Sequence, residues 1–208
     1  ADAIRLTRRA NKPLKWEEMG PDNVGGRIRA FLIHRDSGNI WFAGGVSGGL
    51  FRSVSSGNSW SPINDRQENL NVTCIAQTVS GTIFYGTGEG GFVNLSGTRN
   101  GSPAFLGAGL YKSTDGRGVS FTKMTNTSAA SFMQCNSMVA HPKEDKFYLG
   151  TEDGIYEFTN NGGTQKKISV GSIKELKIDK NGVLWASTGS GSILKMDGAG
   201  AMKQMNAS

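Results

Sequence analysis

The sequence is poor in the residues that nucleophilic and metal chemistry most often use. Of 208 residues, two are histidine and two are cysteine. Cys74 and Cys135 show neither CxxC nor Cys/His ligand spacing, which argues against a zinc site and predicts no bound metal or cofactor. Each lies near the start of an apolar alternating stretch, where a buried free thiol is the usual state, and a disulfide between neighbouring structural units is the open alternative. His34 and His141 both end apolar runs, and His141 precedes Pro142, so both are expected as solvent-side turn residues. Neither Ser-His-Asp nor Cys-His machinery can be assembled from them. No apolar run approaches the roughly 18 residues of a membrane-spanning helix, and Ala1 to Arg5 lack an apolar signal core. A start without Met suits a mature exported form. Helical periodicity is missing as well.

What the chain has in quantity is glycine, 30 residues against five prolines, without the every-third spacing of collagen. Hydrophobic residues make up 37% and charged residues 19%, enough for a real core. The formal net charge is +6, much of it in Arg5, Arg8, Arg9, Lys12 and Lys15. This reads as a solvated basic arm over residues 1–13; no basic stripe interleaved with aromatics follows, so no nucleic-acid partner is expected.

Four segments superimpose on one template. Each opens with an alternating run: Ile28 to Ile33, Val72 to Gln77, Ser137 to His141, Ile173 to Ile178. A second run ends in a small residue at Gly44, Gly86, Gly150 and Ser187. A third follows at Leu50 to Ser53, Leu110 to Ser113, Ile155 to Thr159 and Ile193 to Met196. From the small residue to the end of the third run is nine residues in copies one, three and four, and twenty-seven in copy two. The excess falls in the Gly/Ser/Asn-rich stretch from Phe92 to Gly107, and insertions map to loops. With the insertion removed, the period suits four-stranded β-propeller blades. The predicted fold is all-β: four four-stranded blades over residues 25–65, 70–125, 135–168 and 172–206.

After each third strand comes a polar turn. The best copies are Ser53-Val54-Ser55-Ser56-Gly57-Asn58-Ser59-Trp60 and Ser113-Thr114-Asp115-Gly116-Arg117-Gly118-Val119-Ser120-Phe121. They resemble the Asp-box, S-x-D-x-G-x-x-W. Ser and Asp side chains accept nearby backbone N–H groups, glycine takes the positive φ, and the aromatic packs under the turn. Ser53, Gly57, Trp60, Ser113, Asp115, Gly118 and Phe121 are therefore structural candidates. Copies three and four decay to Thr159-Asn160-Asn161-Gly162-Gly163 and Met196-Asp197-Gly198-Ala199-Gly200, which lack the aromatic. Together with Gly20 to Ile28, Gly45 to Ser53 and Tyr85 to Gly90, these turns resemble the opening of sortilin-type and xyloglucanase-like Asp-box (BNR-like) propellers. The resemblance covers nearly the whole chain and implies an exported bacterial protein, secreted or on the cell surface.

Leu14 to Met19 looks like an outer closing strand, with Trp16 in the place of Trp60. The fourth repeat has its own outer strand near Met202, so the partner of the Trp16 strand is expected beyond Ser208, in a ring of about seven or eight blades. Loops entering each first strand and loops joining second to third strands should share one face. That face would hold Asp22, Asn23, Arg27, Ser47, Glu89, Arg99 in the insertion, Glu152, Asp153 and Ser190. Arg27 is open to pairing with a carboxylate across the channel, Glu89 to bonding its own bend, and Asp153 to a turn role.

Xyloglucanase-like enzymes place a general acid in a Thr-Asp-Val-Gly-Gly bend before a third strand. Here the bend reads Gly45-Val46-Ser47-Gly48-Gly49, and Val46 cannot transfer a proton. Glu89 lies one position off phase in the next blade. The expected function is a non-catalytic propeller binding protein or glycan, with Arg27, Glu89 and the insertion as contacts; the alternative is the N-terminal part of a glycoside hydrolase.

Overall fold

A computed structural model describes residues 26–63, 65–90, 105–113 and 115–205. The expected closing strand from Leu14 to Met19, Asp22, Asn23, Arg99 and most of the insertion lie outside the described residues. The described chain is all-β apart from two short 3-10 turns, Thr125–Thr127 and Ala130–Phe132, between the second and third repeats.

Sixteen strands form four antiparallel sheets, each of four strands in chain order. Blade one contains β1 (Ile28–Ile33), β2 (Trp41–Gly45), β3 (Gly49–Ser53) and β4 (Ser61–Ile63). Blade two contains β5 (Val72–Gln77), β6 (Ile83–Thr87), β7 (Leu110–Ser113) and β8 (Thr122–Lys123). Blade three contains β9 (Cys135–Ala140), β10 (Phe147–Thr151), β11 (Gly154–Thr159) and β12 (Thr164–Val170). Blade four contains β13 (Ile173–Ile178), β14 (Leu184–Thr188), β15 (Ile193–Met196) and β16 (Met202–Gln204). First strands stack in order, β1 beside β5, β5 beside β9 and β9 beside β13. This is a run of propeller blades, and the inner strands line its axis.

Because side chains alternate along a strand, each sheet has two faces to bury, and the core divides into one cluster per junction. Ala30, Phe42 and Leu50 meet Val72, Ile75, Tyr85 and Tyr111 between blades one and two. Phe84, Leu110 and Cys74 meet Phe147, Leu149 and Phe158 between two and three. Tyr148 and Ile155 meet Ile173, Leu176 and Leu184 between three and four. Aromatic stacking reinforces the middle junction, where the Phe84 and Phe147 ring centres are 4.4 Å apart and those of Phe147 and Phe158 are 4.7 Å apart.

The recurring glycine of each second strand has a physical cause. A methyl group at Gly44 would lie 2.5 Å from Val72 Cγ1, at Gly86 2.6 Å from Cys74 Sγ and 2.7 Å from Cys135 Cβ, and at Gly150 2.7 Å from Ile173 Cγ2. Close approach of the next blade's first strand excludes any Cβ there. Both cysteines are free and buried. Burial pushes the Cys74 thiol up to about 12 and raises that of Cys135 well above its ordinary value, so both are inert.

The polar turns after the third strands are built as their residues require. Ser53 Oγ accepts from Ser55 N and Gly57 N at 3.1 and 2.9 Å, and Ser55, standing where aspartate is expected, accepts from Ser59 N at 3.0 Å. Asp115 accepts from Arg117 N, Val119 N and Ser120 N. Gly57 and Gly118 have φ of 86° and 62°. Phe121 is buried, whereas Trp60 is half-buried.

The two histidines depart from expectation. His34 and His141 are 5% and 6% exposed, so they are buried and not solvent-side. Each ends a first strand just where the next blade leans over it, a contact that local sequence does not reveal.

Candidate functional site

Each first strand carries a β-bulge at the same phase. Register shifts fall between Ile28 and Ala30, Val72 and Cys74, and Ile173 and Glu175, with the matching shift in β9 at Asn136. The extra residues are Arg29, Thr73, Asn136 and Lys174. Bulges re-aim side chains, and here they direct four polar ones into the contacts between blades at one end of the axis.

Those contacts form a chain across all four blades. Arg27 Nη1 donates to Glu89 Oε1 at 2.7 Å, and Arg27 Nη2 and Arg29 Nη1 also hold the Glu89 carboxylate. Arg29 Nη2 reaches Asn136 O at 3.4 Å. Thr73 Oγ1 donates to Cys135 O, tying blade two to blade three. Asn136 Oδ1 accepts from Gly90 N, while its Nδ2 donates to Ile173 O at 2.7 Å and Glu152 Oε1 at 2.8 Å. Lys174 Nζ closes the chain on Glu152 Oε1 at 2.6 Å.

Burial sorts these groups. Glu89, expected as an exposed contact, has no exposed surface, because the backbone pairing of its bend with Phe105 and the two guanidiniums enclose it. Among the described residues, the partners of its carboxylate are Arg27 and Arg29. Arg27 keeps half of its side-chain surface exposed. Burial works against ionisation of Glu152, but Lys174 and Asn136 outweigh it and hold the carboxyl below the usual range. Asp153 is fixed by Lys167 at 2.7 Å and by the Tyr156 hydroxyl, which lower its pKa. Ser47 is exposed; Val46, behind it, is buried and donates its N–H to Arg27 O. Ser190 is exposed and meets Thr188.

Beside the network lies an axial cavity of about 500 Å3, lined among others by Arg27, Arg29, Asn136, Glu175 and Lys177. The arrangement can bind and orient polar groups. Among the described residues no cluster of three or more His, Cys, Asp or Glu could hold a metal, and no helix is long and apolar enough to cross a membrane. The bulge residues are the part of the site the motif search overlooks. Their signal is a polar residue recurring at one phase of an otherwise apolar first strand.

No known protein family and no curated protein matches the sequence. Solved structures do match in fold. An ancestral GH74 enzyme superimposes with a TM-score of 0.67 at 19% identity, covering 86% of this chain and 25% of that one. The extracellular domain of a two-component system from B. thetaiotaomicron gives 0.64 at 18% identity, over 92% and 23%. YCF48 from Cyanidioschyzon merolae gives 0.61 at 14%, over 88% and 57%. The chain thus spans about a quarter of the length of the first two. At these identities the likeness establishes the β-propeller fold alone.

Proposed function

We propose that this chain is a non-catalytic exported β-propeller, part of a ring of about seven or eight blades, whose loop face binds a protein or a glycan. The observation that carries the reading is the burial of Glu89. A general acid must touch the glycosidic oxygen, and a carboxylate with no exposed surface, clasped by Arg27 and Arg29, cannot. Glu152, held ionised by Lys174 and Asn136, is a poor proton donor. Arg27, Ser47 and Glu152 remain the contacts available at this face, with Asp22, Asn23 and Arg99 as further candidates. Export is supported by the extracellular placement named for one of the structural neighbours.

The second reading, the N-terminal part of a propeller glycoside hydrolase, is favoured by the likeness to an ancestral GH74 enzyme. Its acid and base would then lie outside the described residues. The full-length encoded protein, tested against a panel of polysaccharides and sialosides, is expected to bind without hydrolysing, and Arg27→Ala together with Ser47→Trp should weaken the binding. Hydrolysis that disappears in Glu89→Gln would overturn the reading.

A further inference from the structure

The loop face carries an apolar pair that neither the axial network nor the core uses. Val54, Val119 and Val170 are each exposed alone in a turn or at a strand end, as is ordinary on any protein surface. Phe105 and Leu106 are different. They are consecutive, 47% and 59% exposed, at the foot of blade two's second-to-third strand connection, and neither belongs to a core cluster.

What sets the pair apart is the backbone beneath it. Phe105 O accepts from Glu89 N at 3.0 Å, Leu106 O from Asn69 Nδ2 at 2.7 Å, Gly107 N donates to Met133 O at 2.8 Å, and Ala108 N donates to Thr87 Oγ1 at 2.8 Å. A methyl group at Gly107 would lie 2.4 Å from Thr87 C, so the stem is pressed onto blade two's bend. Four consecutive residues are fixed while two large apolar side chains are held outward. A partner that covers them orders no backbone, which is the property of a preorganised contact.

The polar groups around the pair decide what it can bind. A sugar needs donors and acceptors beside an apolar surface to meet its hydroxyls. Here Asn69 is engaged with Leu106 O and Asn71 N, Glu68 with Lys123 and Tyr111, and Glu89 holds the guanidiniums of Arg27 and Arg29. The Asn71 amide makes no hydrogen bond among the described residues, but it is buried and out of a ligand's reach. Leu106 offers branched methyl groups in place of a flat ring face. Such a surface suits an apolar side chain.

We propose that Phe105 and Leu106 form the anchor by which the loop face holds a partner protein, through an apolar side chain on an exposed turn or extended segment of that partner. The inference rests on the binding function proposed above and narrows it to one of its two partner classes.

The test pans a library of short random peptides on the protein and, in parallel, titrates cellohexaose and oligogalacturonate into the 15N-labelled chain. Enriched peptides should carry an aromatic or aliphatic residue and shift the amide signals of Leu106 and Gly107. The double variant Phe105→Ser with Leu106→Ser should bind them about tenfold or more weakly. Both side chains are exposed, so this variant should fold, and Val119→Ser, in the third-to-fourth strand turn at the other end of the blade, should bind as the unaltered chain does. Peptides that bind the double variant equally well would overturn the proposal. Oligosaccharide shifts that the double variant abolishes would overturn it too, yet would leave the loop face a binding face. If neither class shifts any loop-face amide, the proposal and the function it rests on both fall.

Discussion

Blade one and blade four each turn one broad face away from the other blades, and the two faces have opposite chemistry. On blade one, Ile28, Phe31 and Ile33 are 53%, 52% and 49% exposed, and Trp41 packs edge-to-face on Phe31. The same positions in blade two hold Val72, Ile75 and Gln77, with Ile83 in the place of Trp41; all are buried, and the three apolar ones pack against blade one. Blade four turns out its other side, the one that meets the following blade in blades one to three, and it carries Lys177, Trp185, Ser187 and Lys195, with Glu175 at the inner edge; Lys177 pairs with Glu175 at 2.9 Å and Lys195 lies over the Trp185 ring at 4.8 Å. The first face is composed like a junction between blades; the second is composed for water. Ser187 sharpens the contrast, because it stands where Gly44, Gly86 and Gly150 admit the next blade. Any sheet stacked on blade four must stand farther off than the inner blades do from one another.

The largest effect should come from testing that glycine. Gly86→Val forces atoms against Cys74 and Cys135, both buried, and is expected to destabilise by about 1–3 kcal/mol or more. Ser187→Val, on the open face, should stay within about 0.5 kcal/mol. Urea unfolding of the two variants separates a packed junction from a free face, and equal losses would erase the distinction.

Next come the carboxylates. Glu89→Gln leaves Arg27 and Arg29 crowded together without their anion, and both are partly exposed, so the expected loss is about 1–3 kcal/mol, less than for a wholly buried pair. Asp36→Asn, whose carboxylate is 70% exposed and 3.9 Å from Arg35, should change stability by under about 0.5 kcal/mol. Comparable values for both would mean that the axial network carries no more weight than a surface pair.

Much of this contrast could be read in the sequence, and the unread part has a common cause. The repeat placed β1, β5, β7, β13 and β15 at their observed bounds, because alternation and turn chemistry are local. Burial of Glu89 depends on guanidiniums 60 and 62 residues away, and burial of His34 on a turn 82 residues away. Such pairings follow from blade phase and not from neighbouring residues. Arg29, Thr73, Asn136 and Lys174 were legible in principle as one recurring polar position.

A pH series gives a smaller and more selective signal. Glu152 has its pKa lowered in the folded protein, so its contribution is complete above the unfolded value, about 4.3, and fades as pH falls through the lower folded value. Between pH 6 and pH 3, in rough terms, Glu152→Gln should lose less stability than the unaltered chain. Parallel curves in urea unfolding would show that Lys174 and Asn136 do not favour the ionised form.

The least costly change for the fold tests the apolar face directly. Phe31 is half exposed and, among the described residues, its ring partner is Trp41, so Phe31→Lys should alter stability by under about 1 kcal/mol. Its effect should appear in association. An exposed apolar sheet face draws molecules together as concentration rises, and a lysine there imposes charge and hydration on the contact. Sedimentation velocity over a concentration series should show self-association reduced in Phe31→Lys and unchanged in Lys177→Gln on blade four. If the two variants sediment alike, blade one's outer face is not a sticky junction surface, and its likeness to the inner faces is one of composition alone.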